Sequence, residues 1–252
     1  MRVVRLYRHP VKGLSPEPLK SVSLVEGGCV PGDRLFALEN GPSGFDPAAP
    51  MHLPKIKFLM LMRNGALAGL ATRYDDAMKT LTIEREGKLV AQGRLDSPEG
   101  RAAIENYLTA FLGEEIRGPV RLLAAPDGHR FMDSKSGFVS LINLASVQAI
   151  AQAAGKPVDP LRFRANIHLA DMAPWVETEL VGKTLTFGGA KLEILKMIDR
   201  CAATGVEPGT GARDRDMDIV DTLRKSFGHI DCGVYAKVLG GGEVKVGDVG
   251  RA

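Results

Sequence analysis

The stretch TLTFGGAKLEILKMIDRCAATGVEPGTG, residues 184–211, decides the fold. Apolar and polar residues alternate on both sides of a glycine pair, and this pattern predicts two strands joined by a tight turn. The second strand runs toward Cys201, where a loop of small and turn-forming residues begins. Because such a loop lets the backbone approach a ligand closely, Cys201 is the first candidate functional residue.

The same pattern of short apolar runs between glycine-rich turns occurs along much of the chain. Five further runs predict strands: VVRLY (3–7), SVSLV (21–25), RLFAL (34–38), TLTIERE (80–86) and KLVAQGRL (88–95). The last two predict a hairpin. The segment CGVYAKVLGGGEVKVGD, residues 232–248, predicts another hairpin with the three glycines as its turn.

Helical periodicity is less frequent. Three stretches have it: 97–113, 144–156 and 216–228. In the first, Ser97 can cap the helix and Pro98 suits its first position. Either Asn143 or Ser146 can cap the second.

The order of these elements indicates the fold class. Strands and helices do not alternate regularly, so a doubly wound parallel sheet is excluded. We predict a mainly β protein of the β-barrel type with inserted helices. The segment GEEIRGPV, residues 113–120, is the predicted boundary between two β-rich halves.

Composition excludes several classes of function. The 252 residues include 33 basic and 30 acidic side chains, a net charge of +3 that is spread along the chain, so we predict no nucleic-acid partner. Basic residues interrupt the apolar N-terminus, and Lys57 and Arg63 interrupt the most apolar run, so we predict neither a signal peptide nor a membrane span. A cytoplasmic protein with reduced cysteines is therefore expected.

Familiar site motifs do not fit. Lys183 lies in a GKT triplet, but a strand follows it where a phosphate loop needs a helix. Asp214, Asp216 and Asp218 have the spacing of a calcium loop, but isoleucine and lysine replace the required glycine and glutamate. The three cysteines lack the spacing of a zinc site.

Cys201 has a more unusual setting than the other cysteines. A lone cysteine is more often a small core residue than a reactive one, and we interpret Cys29 and Cys232 in that way. A thiolate at Cys201 would suit a soft, redox-active metal or sulfur chemistry. Neighbours in a strand point to opposite faces, so Asp199 would share the face of Cys201, and Arg200 would help only if the strand has already ended.

Four basic residues lie at the ends or edges of predicted strands: Lys12, Arg34, Arg162 and Arg164. Taken singly, each is more often a surface charge. The guanidinium fork suits phosphates and planar heterocycles, so convergence of these residues would indicate an anionic pterin or nucleotide.

In sequence order, these segments resemble a known family. YRHPVKG (7–13) and GDRLFAL (32–38) resemble the N-terminal β-barrel domain that precedes a MOSC domain. LINLASVQAIA, RFRANIHL, TLTFGGAKLEIL, DRCAATGVEPGTG and GVYAKVLGGGEVKVGD follow in the order of MOSC proteins. This family, the molybdenum-cofactor sulfurase C-terminal domain proteins, includes the mitochondrial amidoxime-reducing component and bacterial relatives. The resemblance implies an N-terminal β-barrel domain over 1–115 and a MOSC β-barrel domain over 116–252.

The resemblance also implies a site and a reaction. Cys201 would be the catalytic residue and the ligand of molybdenum in a Mo-molybdopterin cofactor. The implied cofactor-binding residues are Lys12, Arg34, Asn143, Arg164 and Asn166. The implied reaction is reduction of a small N-hydroxylated substrate, with electrons from a separate flavin or iron–sulfur protein.

Two alternatives stay open, and two positions depart from the family pattern. The chain could instead carry sulfur as a Cys201 persulfide, or bind and transfer the cofactor without catalysis. Gly13 stands where the family commonly has serine, which removes one hydroxyl contact. Asp199 also replaces a common serine, and its charge would oppose an anionic cofactor.

Overall fold

The computed structural model describes residues 1–136, 138–214 and 216–251. Its strands are β1 (Arg2–Arg8), β2 (Glu17–Leu19), β3 (Ser21–Leu24), β4 (Phe36–Asn40), β5 (Leu70–Asp75), β6 (Thr80–Arg85), β7 (Lys88–Arg94), β8 (Val120–Ala124), β9 (Val139–Asn143), β10 (Ile167–Ala170), β11 (Thr184–Phe187), β12 (Ala190–Asp199), β13 (Asp231–Gly240) and β14 (Gly242–Lys245). Its α-helices are α1 (Pro98–Leu112), α2 (Leu144–Ala154) and α3 (Ile219–Phe227). The predicted mainly β class with inserted helices is confirmed.

The largest sheet has seven strands in the order β11-β12-β13-β9-β10-β1-β2. Strand β1 pairs antiparallel with β10, with Leu6 opposite Ile167, although the two strands are far apart in sequence. The first strand of the chain is therefore built into a sheet that the second half of the chain supplies. The remaining pairings are β5-β6-β7, β4-β8 and β14-β3.

Two large apolar clusters fill the interior. One packs against the seven-stranded sheet and includes the fully buried Phe187 and Leu192. The other lies between the β5-β6-β7 sheet and α1 and includes Leu81, Ile104 and Leu108. Burial of each such side chain stabilises the fold by about 1.5–3 kcal/mol, so these clusters hold the loops around them in fixed positions.

The three predicted helices form with caps of the expected kind. The Ser97 hydroxyl accepts a hydrogen bond from the amide of Gly100 at 3.0 Å and begins α1. Asn143, rather than Ser146, caps α2. Asp218 caps α3. Within the described ranges, no helix has the length and apolar character that crossing a membrane requires.

The hairpin predicted over residues 232–248 has a different pairing. The β6–β7 hairpin forms as predicted, but β14 leaves β13 and pairs with β3 instead. The glycine run explains this path, because a Cβ on Gly242 would lie 2.2 Å from the backbone carbon of Gly189. Only glycine lets the chain pass so close to the β11–β12 turn, and the pairing partner comes from the distant N-terminal part of the chain.

Candidate functional site

A cavity of about 500 Å³ opens beside the C-terminal end of β12. We call it the basic pocket. Its walls come from segments that are far apart in sequence, including the chain after β1, the long loop before β5, and the residues just before β10. Five of the six residues predicted from the sequence line it: Lys12, Arg34, Arg164, Asn166 and Cys201.

Cys201 lies at the point where β12 ends and a short 3₁₀ turn begins. Its carbonyl accepts hydrogen bonds from the amide of Thr204 at 3.0 Å and from the Thr204 hydroxyl at 2.9 Å, which fixes the turn. The side chain is half-buried. Cys29 and Cys232 do not line the basic pocket. Burial raises the pKa of the Cys232 thiol to about 12, so this cysteine stays a neutral core residue.

Arg200 and Asp199 follow the alternation expected of a strand. Asp199 is exposed and lines the pocket, whereas Arg200 is buried. The Arg200 guanidinium donates to the carbonyl of Cys232 at 2.7 Å and to that of Phe163 at 2.9 Å. Burial lowers the pKa of Arg200, but the carbonyl contacts hold the guanidinium in place. Arg200 therefore acts first as a structural link between strands.

Lys55 lines the basic pocket together with Cys201, and no sequence pattern indicated it as a site residue. Partial burial lowers the pKa of its ammonium, but the negative charges of Cys201 and Asp133 outweigh burial and raise that pKa. Lys55 belongs to a 3₁₀ turn, Lys55–Lys57, inside the long loop after β4. No periodic pattern marks such a loop, so only the folded chain reveals the contact.

Arg34 is held by a buried cluster with Asp33 and His9. Asp33 is 0% exposed, and both of its carboxylate oxygens accept from Arg34. Burial by itself would raise the pKa of Asp33, but Arg34 and His9 lower it to about 2. Burial and Arg34 keep the pKa of His9 well below its ordinary value, so neutral His9 accepts a hydrogen bond from Arg34 at 2.8 Å through Nδ1.

Lys12 is almost completely buried and points into the pocket. Its ammonium donates to the carbonyl of Phe131 at 3.0 Å and forms an ion pair with Asp133. Burial lowers the pKa of Lys12, and Asp133 opposes that effect. The neighbouring Gly13 has a φ of 85°, and a Cβ there would lie 3.0 Å from the carbonyl oxygen of Leu59. A serine at Gly13 would therefore be strained in this chain.

Arg164 connects the Arg34 cluster to the next loop. Its Nη1 donates to the carbonyl of Leu14 at 2.8 Å, and its own carbonyl accepts from Arg34 at 3.2 Å. Burial and the nearby Arg34 charge lower the pKa of Arg164 to about 9. An anion bound in the pocket would stabilise the charged form of this side chain.

The two predicted asparagines have structural roles. Asn166 lines the pocket, but its side chain accepts from the Ser140 hydroxyl at 2.8 Å and donates to the carbonyl of Tyr7 at 3.2 Å, so it ties β1 to β9. Asn143 does not line the pocket. Its oxygen accepts from the amide of Ala145 at 3.0 Å and its amide nitrogen donates to the carbonyl of Ala173 at 2.8 Å, which is the geometry of a buried helix cap.

The charge of the lining is strongly positive. Among the described residues, the lining cations are Lys12, Arg34, Lys55, Arg162, Arg164, Lys196 and Arg200, and the lining carboxylates are Asp133 and Asp199. Ion pairs within the protein neutralise three of these cations, through Lys12–Asp133, Arg34–Asp33 and Arg162–Glu207. The positive charge that remains suits a phosphate-bearing ligand.

The donor set beside Cys201 limits what a metal could use there. In the described ranges of the chain, no three His, Cys, Asp or Glu side chains gather into a group that could hold a metal ion. A metal at Cys201 would therefore take its other ligands from a cofactor. A soft thiol beside a cationic pocket fits a metal carried by an anionic organic group, and the side chains present are compatible with the molybdenum cofactor.

Comparison with known proteins identifies the family. Residues 1–115 match the MOSC N-terminal beta barrel domain, and residues 128–250 match the MOSC domain. The chain therefore belongs to the MOSC-domain proteins and combines both domains in this order. The family is associated with molybdenum-cofactor binding in general. The exact division between residues 115 and 116 stays a prediction.

Two solved structures resemble the chain at low identity. The YuaD protein of Bacillus subtilis is 15% identical, with a TM-score of 0.45, and the match covers 98% of this chain and 92% of YuaD. YiiM of Geobacillus stearothermophilus is 16% identical, with a TM-score of 0.36, and the match covers 52% of this chain and 65% of YiiM. No curated protein sequence matches the chain.

Proposed function

We propose that this protein is a molybdenum-cofactor-dependent reductase of small N-hydroxylated compounds. The observation that supports the proposal is that Cys201 shares one pocket with Lys12, Arg34 and Arg164 in a chain of the MOSC family. A separate flavin or iron–sulfur protein would deliver the electrons.

The cations of the pocket would bind the phosphate of the cofactor. Arg34 is prepositioned, because Asp33 and His9 fix its guanidinium before a ligand arrives. Arg164 is the stronger source of uncompensated charge, since it contacts only backbone oxygens among the described residues. Lys12 would share its charge between the phosphate and Asp133.

Cys201 would supply the thiolate that binds molybdenum. When bound, the molybdenum cofactor would supply two-electron redox chemistry, in which an N-hydroxylated base, two electrons and two protons give the reduced base and water. Lys55 lies beside Cys201 and would donate a hydrogen bond to a substrate oxygen. The exposed Asp199 would select against substrates that carry a negative charge close to the reacting nitrogen.

The decisive experiment measures cofactor content and activity together. Wild-type protein from a host that makes the cofactor is expected to contain stoichiometric molybdenum and pterin and to reduce an amidoxime with reduced viologen as electron source. Cys201→Ala should lose the molybdenum and the activity. Cys29→Ala is the matched control and should retain both, because Cys29 does not line the pocket. Wild-type protein without molybdenum and pterin would contradict the proposal.

The position of Cys201 supports a second candidate function. Its half-buried side chain lines the basic pocket, where a sulfur donor can reach the thiol. In this alternative, Cys201 carries a persulfide to a cofactor or cluster. Mass spectrometry after incubation with a cysteine desulfurase should then detect one added sulfur atom on wild type and none on Cys201→Ala. Stoichiometric cofactor without turnover would instead indicate a binding or transfer protein.

A further inference from the structure

A second cavity, of about 470 Å³, lies next to the basic pocket, and the proposed function uses none of its lining residues except Arg164. We call it the side cavity. Its walls are residues 14–16, residues 68–72 at the start of β5, and part of the loop that follows Cys201. Its volume falls within the range of roughly 300–1,000 Å³ that is typical of small-molecule sites.

The side cavity and the basic pocket share a wall. Leu61, Arg162, Arg164 and Ala203 line both of them. Ala203 belongs to the 3₁₀ turn that begins after Cys201. The partition between the cavities therefore consists of two arginines and the turn that positions the candidate metal ligand.

The side cavity is lined mainly by apolar side chains, with a few charged ones. Its main apolar contacts are Leu14, Leu61, Leu70, Leu161, Val206 and Pro208. Among the described residues, Arg162, Arg164 and Glu86 are the charged ones that line it. A complementary ligand is therefore a compact hydrocarbon or aromatic body with one anionic group.

Arg164 is the cation that this wall offers to a ligand. Arg162 is 4% exposed, and its guanidinium is held within the protein, with Nη1 donating to the carbonyl of Thr204 at 3.0 Å and Nη2 pairing with Glu207. Arg164 is half-buried, and its Nη1 donates to the carbonyl of Leu14 at 2.8 Å. The other nitrogens of Arg164 have no hydrogen-bond partner among the described residues, so they favour an acceptor brought by a ligand.

Close backbone contacts hold the side cavity open. The amide of Gly209 donates to the carbonyl of Ala68 at 2.8 Å, which joins the loop after Cys201 to the segment before β5. A Cβ on Gly69 would lie 2.9 Å from the carbonyl oxygen of Thr210, so the two backbones already touch. Since these contacts are fixed, the cavity is preformed and a ligand need not open it.

From this geometry we propose that the side cavity binds a small apolar carboxylate. The carboxylate lies at Arg164, whose guanidinium donates to it, and the apolar body packs against Leu70 and Val206. Arg164 is also a contact of the cofactor phosphate in the proposed function, so the proposal concerns the cofactor-free chain, in which this side chain is available to a ligand.

Calorimetric titration of the full chain with 2-naphthoate and with its uncharged analogue 2-naphthol tests the charge requirement. We expect 2-naphthoate to bind at least about tenfold more tightly, since a charge-assisted hydrogen bond is worth that factor or more. Equal affinity for the two compounds, or no binding of 2-naphthoate to wild type, would overturn the proposal.

Cavity-filling variants identify the site. Ala68→Phe and Leu161→Trp each add bulk at a residue that lines the side cavity and not the basic pocket. Each should weaken 2-naphthoate binding at least about tenfold. Ala77→Phe, in the exposed β5–β6 turn, is the matched control and should bind like wild type. If both filling variants are folded by circular dichroism and still bind normally, the compound occupies the basic pocket and the proposal is wrong.

Discussion

Two parts of the basic pocket differ in how they are built. Around Arg34, the charged groups are held by hydrogen bonds: Asp33 has no exposed surface and accepts from Arg34, and Arg164 donates to the carbonyl of Leu14. Around Cys201, Lys55 is half-buried, and Lys196 and Asp199 are exposed. We call these the fixed part and the open part. The difference fits the proposed function, in which one part holds a constant group, the cofactor phosphate, and the other accommodates changing substrates.

The largest expected effect comes from breaking the fixed part. Asp33→Asn leaves the half-buried Arg34 without its fully buried counter-ion and should lower the free energy of unfolding by about 3–5 kcal/mol. Asp171→Asn removes the exposed partner of Arg2, outside the pocket, and should change it by less than about 1 kcal/mol. Urea denaturation of both variants measures the contrast, and equal effects would show that the Asp33–Arg34 pair stabilises the fold no more than an exposed surface pair does.

A pH titration tests how far buried, neutral histidines make the fold sensitive to mild acid. His168 is fully buried without a hydrogen-bond partner among the described residues, and burial together with Arg5 lowers its pKa to about 4. Because the unfolded chain binds a proton near pH 6.5 and the folded chain does not, stability should fall by up to about 3 kcal/mol between pH 6.5 and 4. Asp33, with a pKa of about 2, contributes fully above pH 3.8 and loses its contribution only below that pH.

His168→Leu separates the two contributions. Denaturation at pH 7, 5 and 4 should give a stability that falls less steeply for this variant than for wild type. The remaining fall comes from His9, whose pKa burial also holds well below its ordinary value. A variant that loses stability as steeply as wild type over this range would assign the acid sensitivity to another group.

Phosphate affinity compares the two parts directly. Arg164→Gln should weaken binding of inorganic phosphate about tenfold, because a half-buried charged donor without a carboxylate partner among the described residues is lost. Lys196→Gln should have less than about a threefold effect, because its exposed ammonium is screened by water. Calorimetric titration of the cofactor-free chain measures both. The reverse order would place the anion site at the open part.

The smallest expected effect is on reactivity at the open part. Lys55→Gln should slow alkylation of Cys201 by iodoacetate about threefold, because the lost positive charge no longer attracts this anionic reagent to the pocket that both residues line. The unfolding free energy should change by less than about 0.5 kcal/mol, as for most substitutions outside the core, since the Lys55–Lys57 turn contains no buried residue. Mass-spectrometric rates on Cys29 in the same sample provide the internal control.

The sequence predicted the parts of the site that lie at the ends of regular elements. Cys201 follows an alternating strand, and Arg34 and Arg164 lie at strand edges, so periodicity and family resemblance together indicate them. Lys55 and Asp133 lie in loops, where no period constrains the path of the chain. Their contacts with Cys201 and Lys12 arise only when distant segments fold together.

Two differences between the sequence-based predictions and the structure have the same physical origin. The side chain of Asn143 accepts a hydrogen bond from a free backbone amide at the start of α2. An asparagine that caps a helix has the same local sequence as one that binds a ligand. Strand β14 has the alternation of a hairpin partner, but local sequence does not determine which distant edge it joins. In both cases the local pattern gives the conformation correctly and leaves the partner undetermined.

The pairing of β1 with β10 has a consequence for the order of folding. Arg2 lies opposite Ala170, so the first strand to leave the ribosome finds its partner only after two thirds of the chain has been made. Contacts of such long sequence separation form late and slowly. Strand β1 can pair with β2 early, but its other edge must stay unpaired until β10 has been made. A fragment that begins at residue 116 would lack both β1 and β2 of the main sheet.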